Sequence, residues 1–424
     1  MKERLDEYLN ELAKTLNHKD RHKPLADYIC GLMISGNRKS IEPMAARLEP
    51  EHTQALHQSM HHFVANAEWD DHAILHVTRN RVLKVMKRHG GVEAWIVDDT
   101  GMPKKGNHSV GVVRQYCGNL GKKENCQVSV SVSIANEALS LPVSYRLYLP
   151  EIWANDSIRL SAAGVPRTVH FQTKWKIALD EFAKLQRENV PGAPVLADAG
   201  YGNVTAFRDE LSGMKIPYVV GINPETTVWP PDMQPLPPKK YSGQGRPPTR
   251  LRRTEHNRPI TSMTLAMNLP LIAWYNVAWR EGTKGKMQSR FAAVRVRPSH
   301  DDRNLKSARE EEWLLIEWPN DEPAPVKFWL STLEPTTTLE DLVKLAKLRW
   351  RIERDYEELK NEIGLDHYEG RGWRGFHHHA VLCIATYGFL VSEKASFSPL
   401  GPIAIIKASP LPKGFKVRGS PDSS

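Results

Sequence analysis

Between residues 91 and 222 short apolar runs and longer amphipathic runs follow one another in an order that few folds can satisfy. AWIVDD (94–99) reads as a short strand ending in acids. NCQVSVSVSIAN (125–136) alternates with period two, as a strand with two different faces must, and LPVSYRLYLP (141–150) continues the meander. A helix over 171–189, the strand PVLADAG (194–200), a helix near 203–212 and the strand PYVVGI (217–222) complete the series. The order β-β-β-α-β-α-β predicts an α/β fold, a mixed sheet flanked by helices.

The flanks differ in texture. Residues 1–90 carry apolar side chains at three- and four-residue intervals and read as a helical domain. Segment 39–60 fits a helix-turn-helix with Ser40 as N-cap, and fits equally a helical packing unit with no DNA contact. From 223 to 325 a Pro-rich, basic stretch leads into MTLAMNL, LIAWYNVAWRE, MQSRFAAVRVRP and EEWLLIEWP, read as strands of a β-rich insertion. FWLSTL (328–333) returns to the core, followed by helices over 338–363 and 376–393, so 326–394 is the second part of the core. The tail, 395–424, is rich in Ser, Pro and Gly and is expected to be disordered.

With 424 residues the chain has room for two or three domains. Cys30, Cys117, Cys126 and Cys383 show no zinc-finger spacing, and free thiols fit a reducing cytoplasm. The first ten residues lack the apolar core of a signal peptide, and the apolar run 380–391 is too short to span a bilayer, so no membrane partner is expected. Formal net charge is +9, and it is clustered. Residues 239–258 hold seven Lys or Arg against Glu255 alone, and 102–123 holds Lys104, Lys105, Arg114, Lys122 and Lys123 with no acid. Such clusters suit a polyanion, because neutralising phosphates releases counterions.

Carboxylates stand at three telling places. Asp98 and Asp99 end one apolar strand, Asp198 ends another, and Glu353 lies in LVKLAKLRWRIERDYEELKNEIG (342–364). Read as one helix, that segment puts Arg349, Glu353, Tyr356 and Lys360 on one stripe, since offsets of 4 and 11 turn through only about 40° and 20°. Each feature alone has an ordinary reading, as a turn residue or a surface ion pair. Acids on rigid elements whose ends converge are also what a pair of hard cations needs.

R-x3-E-x6-K (349–360), together with WIVDDTGMPKKGNHSVGVVRQYCGNLGKKENCQV, YRLYLPEIW, VLADAGYGN and WREGTKGKMQSRFAAVRVRP, resembles the DDE transposases of bacterial insertion sequences, from about residue 25 to 393. The resemblance implies an RNase H-like core (91–222 and 326–394), a β-strand insertion and an N-terminal helical domain that binds DNA. It implies catalytic, metal-binding carboxylates at Asp99, Asp198 and Glu353, with Asp98 as the alternative to Asp99, since period two lets only one of the pair face the site. Two Mg²⁺ ions, replaceable by Mn²⁺, would serve cleavage at the element's ends and joining of the freed 3′-OH to target DNA. Arg349 and Lys360 match the signature's cations, while its tyrosine falls at Ala346, leaving Tyr356 as a substitute. Further DNA contacts are expected from Lys104, Lys105, Arg246, Arg371 and Trp373, with Arg374 beside them. GQGRPP (243–248) resembles an Arg-Pro core that AT-rich minor grooves accept, and also reads as a flexible basic loop. Trp229, Trp274 and Trp279 either stack on an extruded base or pack the insertion, and consecutive His377, His378 and His379 diverge too far to share a metal. The expected partner is double-stranded DNA, bound by a homodimer on paired ends, in the cytoplasm near the nucleoid. A DNA-binding regulator without catalysis and a nuclease that does not join ends are the other readings.

Overall fold

A computed structural model describes residues 1–397, apart from residues 37, 283 and 284. Most of the tail expected to be disordered thus lies outside the described residues, which end in the last helix.

The amino-terminal part is helical: α1 (Lys2–Ala13), α2 (His22–Met33), α3 (Ile41–Leu48), α4 (Thr53–His61) and α5 (Asp71–Lys87). Ser40 stands at the N-cap of α3 without a side-chain cap bond, and α3 and α4 are joined by a short 3₁₀ turn. The chain then enters β1 (Ala94–Pro103), β2 (Val113–Cys117), β3 (Lys122–Ala135) and β4 (Ser140–Leu147). Helix α6 (Lys174–Arg187), β5 (Val195–Ala197), α7 (Thr205–Gly213) and β6 (Tyr218–Ile222) follow. The insertion supplies β7 (Thr227–Trp229), β8 (Ile260–Thr261), β9 (Tyr275–Gly282), β10 (Gly285–Pro298) and β11 (Glu312–Trp318). Back in the core, the chain closes with β12 (Lys327–Ser331), α8 (Leu339–Leu348), α9 (Trp350–Glu358) and α10 (Trp373–Phe397).

Among the described residues, twelve strands join in one mixed sheet, in the order β2-β3-β1-β5-β6-β12-β11-β10-β7-β8, with β4 beside β3 and β9 beside β10. Strands β1, β5 and β6 run parallel; the remaining neighbours are antiparallel. This mixed sheet with helices on it is an RNase H-like α/β arrangement, the fold class read from the sequence. The insertion continues the sheet edge to edge through β11 on β12.

Alternation along β1 divides its side chains between two cores. Trp95 and Val97 join the larger cluster, where Trp95 stacks on Phe182 of α6 with ring centroids 6.0 Å apart. Ala94 and Ile96 join Leu196, Val219, Leu342, Val343 and Ile352 under α8 and α9. Both faces of the central sheet are therefore covered, which is why β1 and β5 are apolar on successive residues. Helix α10 is long and apolar enough to cross a membrane by length and composition, yet most of it is buried within the protein against α5, α2 and β4.

Two elements differ from the sequence reading. MTLAMNL, expected as a strand, contributes to a helix, Ser262–Met267, because Thr261 caps it: its Oγ1 accepts the Thr264 amide at 3.0 Å. The single helix expected over 338–363 is broken at Arg349, where the Ile352 amide bonds Arg349 O at 3.2 Å, a three-residue closure. It ends in a π-turn, Leu359–Ile363, stopped by Gly364 at φ 86°.

Candidate active site

Period two decides what each acid of the Asp98–Asp99 pair faces. Asp98 follows Ala94 and Ile96 onto the α8/α9 side, and its Oδ2 accepts from Arg349 Nη1 at 2.9 Å. Asp99 follows Trp95 and Val97 to the opposite side, where Lys174 at the start of α6 reaches its Oδ2 at 2.6 Å. Ile96 lies opposite Leu196 in the parallel β1–β5 pair. Two residues further on, Asp98 and Asp198 leave the same face of adjacent strands, which run about 4.8 Å apart.

Asp198 ends β5 and caps the short helix Ala199–Gly202, its Oδ1 accepting from Gly200 N at 2.9 Å and Tyr201 N at 3.3 Å. The glycines of ADAGYG follow from crowding. A Cβ on Gly202 would stand 1.9 Å from Gly221 O on β6, and one on Gly221 would stand 3.1 Å from Ala199 N. The turn that carries Asp198 is thus pressed onto the neighbouring strand.

The basic stripe runs along β1. Arg349 bridges Asp98 and, with its other terminal nitrogen, Glu353, whose side chain is largely exposed. One turn on, the Tyr356 hydroxyl donates to Asp98 O at 3.1 Å and lies 2.8 Å from Ser131 Oγ. Lys360 Nζ then donates to Gly101 O at 2.9 Å. Tyr356 and Lys360, expected to touch DNA, are buried and bind the helix to β1 instead. Ala346, at the place of the signature tyrosine, is packed among Leu342, Val343 and Leu348.

Burial pushes the Asp98 carboxyl up to about 7, the adjacent Asp198 and Asp99 charges adding to the effect against the pull of Arg349. Burial also lowers the Lys360 ammonium below its usual range. Asp98 and Asp198 on adjacent strands, with Arg349 between Asp98 and Glu353, are hard oxygen donors of the kind that suits a divalent cation. As the side chains stand, no three His, Cys, Asp or Glu among the described residues are grouped to hold one ion, and Glu353 is turned to Arg349.

The remaining expected contacts scatter. Lys104 Nζ donates to Tyr368 O at 2.7 Å and is half-buried, while Lys105 and Arg371 are exposed. Trp373 leans on His377, ring centroids 4.3 Å apart, and Arg374 is held by Asn66 O and Glu68. Trp229 is buried, Trp274 meets Trp318 edge-on and Trp279 meets Phe291 edge-on, so these rings pack the insertion. His377, His378 and His379 are buried with separate partners. Arg246 is exposed in a loop. Sequence reasoning missed Lys174, which has no motif signal. It also missed the serine row of β3: Ser131 and Ser133 meet Tyr356 and Asp355 of α9, a role hinted at by the polar half of the alternation.

Residues 11–286 match the family described as DDE superfamily endonuclease, a span that includes Asp98, Asp99 and Asp198. The chain belongs to that family. Glu353 lies beyond the matched residues. Within a 169-residue stretch the chain is also 33% identical to the probable transposase for insertion sequence element IS701 of Microchaete diplosiphon. That stretch is 39% of this chain and 40% of the relative, so the match spans well under half of either protein. Endonuclease-family membership thus rests on residues 11–286, which carry Asp98, Asp99 and Asp198 of this DDE family member.

Proposed function

We propose that this DDE-family chain is a DNA transposase that cuts the ends of its mobile element and joins the freed 3′-OH to target DNA. What supports the reading is that Asp98 and Asp198 leave the same face of β1 and β5, and that Glu353 of α9 is linked to Asp98 through Arg349. In this reading Asp98 takes the place first assigned to Asp99, because Asp98 shares the face of Arg349 and Glu353. Asp99 remains a neighbour on the α6 side, paired with Lys174.

Asp98, Asp198 and Glu353 would hold divalent metal, Mg²⁺ or Mn²⁺. When bound, such ions supply Lewis-acid activation of water and neutralise charge that develops on the phosphate. Asp98 sits within β1, which runs on past the sequence-expected end at Asp99, and Asp198 follows directly on β5. Rigid strands thus fix both, while Glu353 comes from a helix tied to β1 by Tyr356 and Lys360. Arg349, once released from the carboxylates, is placed to pair with a DNA phosphate, a fork geometry that arginine suits. Lys105 and Arg371 are exposed cations available to the backbone of element ends or target, and Arg246 is exposed on its own loop. A homodimer on paired ends follows from the need to join two ends together.

A second reading, DNA binding without cleavage, has one observation in its favour: Arg349 ties up Asp98 and Glu353. One experiment separates the readings. DNA bearing the element's ends is incubated with wild type and Glu353→Ala, in Mg²⁺ or EDTA. Cut and joined products that need Mg²⁺ and vanish in Glu353→Ala, with end binding kept, are expected. Binding without cutting in the wild type would leave the regulator, and cutting without joining would leave a nuclease.

A further inference from the structure

We propose that the loop 236–252 is a minor-groove probe, with Arg246 as the side chain inserted into A·T-rich duplex DNA. The inference rests on the DNA-binding reading above and adds to it which groove and which base composition this loop selects.

The root of the loop is fixed. Leu236 and Arg252 exchange backbone hydrogen bonds of 2.9 and 2.8 Å, closing the segment like the base of a hairpin. Next to that closure, Arg253 donates to the buried Asp302 at 2.6 Å and to Ser299 O at 2.9 Å. Asp302 also accepts from Trp229 Nε1 at 2.8 Å, so the root is clamped to the packed part of the insertion. Arg252 Nε donates to Pro237 O at 2.8 Å. Two of the window's cations are thus used to hold the root.

The tip is different. Residues 239–250 are all exposed, with no strand or helix among them, and hold Lys239, Lys240, Arg246 and Arg250 with no acid. Among the described residues, none of these four has an ion pair. Tyr241 Oη donates to Gly245 O at 3.1 Å, and Gly243 and Gly245 take φ of 90° and 76°, which glycine accepts at little cost. This pinned turn delivers Arg246 at its exit, and Pro247 and Pro248 keep the following chain extended and free of amide donors.

Width selects the groove. A minor groove is about 6 Å across, too narrow for a helix or a strand pair but open to a single extended chain. Glycine before Arg246 and proline after it leave one long side chain on a thin backbone. A·T-rich tracts narrow the groove and concentrate negative potential there, which favours an inserted guanidinium. Lys239 and Lys240 on one limb and Arg250 on the other then lie toward the flanking phosphates.

The test is duplex binding by the full chain, measured by fluorescence anisotropy on two duplexes of equal length, one with an A-tract centre and one with a G·C centre. Wild type, Arg246→Ala and Arg246→Lys are compared, with and without netropsin, which fills A·T minor grooves. The expected result is a preference of about tenfold for the A-tract duplex, abolished by netropsin and by Arg246→Ala, with G·C binding nearly unchanged. Arg246→Lys, which keeps charge but loses the planar fork, should restore it only in part. Equal wild-type binding to both duplexes, or an equal loss on both in Arg246→Ala, would overturn the proposal in favour of a phosphate-only contact. Failure of the wild type to bind either duplex would overturn the DNA reading itself, and this proposal with it.

Discussion

At the scale of single residues, the site turns on which side of one strand a carboxylate leaves. Asp98 and Asp99 are neighbours of the same chemistry, separated by the sheet: one meets Arg349, the other Lys174. Replacing each by asparagine keeps size and removes charge. If the α8/α9 face is the reacting face, Asp98→Asn should lower Mg²⁺-dependent cleavage by at least about a hundredfold, and Asp99→Asn, acting from beside the donor set, by about tenfold or less. Single-turnover cleavage of end-bearing DNA measures both, and the reverse order would move the site to the α6 side. The sequence carried the acids and the period-two rule that only one faces inward. It could not say which, because that depends on which helices cover each face, a tertiary fact. Tyr356 and Lys360 make the same point: their helical spacing was legible, but whether the stripe faced solvent or β1 was not.

At the scale of elements, α9 is held to the sheet by a polar seam under its apolar contacts. Asp355 is fully buried and accepts from Ser133 Oγ at 3.0 Å and Ser140 Oγ at 2.5 Å, while the Tyr387 hydroxyl of α10 lies 3.0 Å away. Burial pushes its carboxyl up to about 6, against the opposing effect of these three hydroxyls. A raised native value means the folded state keeps a proton that the unfolded chain releases. That contribution to stability is fully present below the unfolded value near pH 4 and is lost as pH rises through about 6. Asp355→Asn does not titrate. The stability of wild type relative to Asp355→Asn should therefore fall by on the order of 2 kcal/mol between about pH 4 and pH 7. Urea unfolding across that range tests it, and a difference independent of pH would show that Asp355 ionises normally. The strands behind this seam were readable, since β3 alternates strictly. The break at Arg349 and the π-turn after Glu358 were not, because side-chain periodicity is nearly blind to a local change in helix pitch.

At the scale of the whole molecule, the β-rich segment is a continuation of the central sheet. Ile222 faces Phe328 across β6 and β12, so a short turn could join them directly. Excising 223–326 would nevertheless strip β11 from β12 and leave an unpaired inner edge. Such a deletion is expected to aggregate, read as loss of soluble, monodisperse protein in size-exclusion chromatography; a soluble product would show that the core closes without its insertion. The sequence showed the segment's β character, but not its attachment, because strand partners far apart in the chain leave no local mark. The same routing has a consequence in time. On a ribosome, Asp98 and Asp198 emerge first, and the insertion must be made before Glu353 appears. At about 5–20 residues per second, a nascent chain spends roughly 8 to 30 seconds with the two aspartates made and the proposed third carboxylate not yet synthesised.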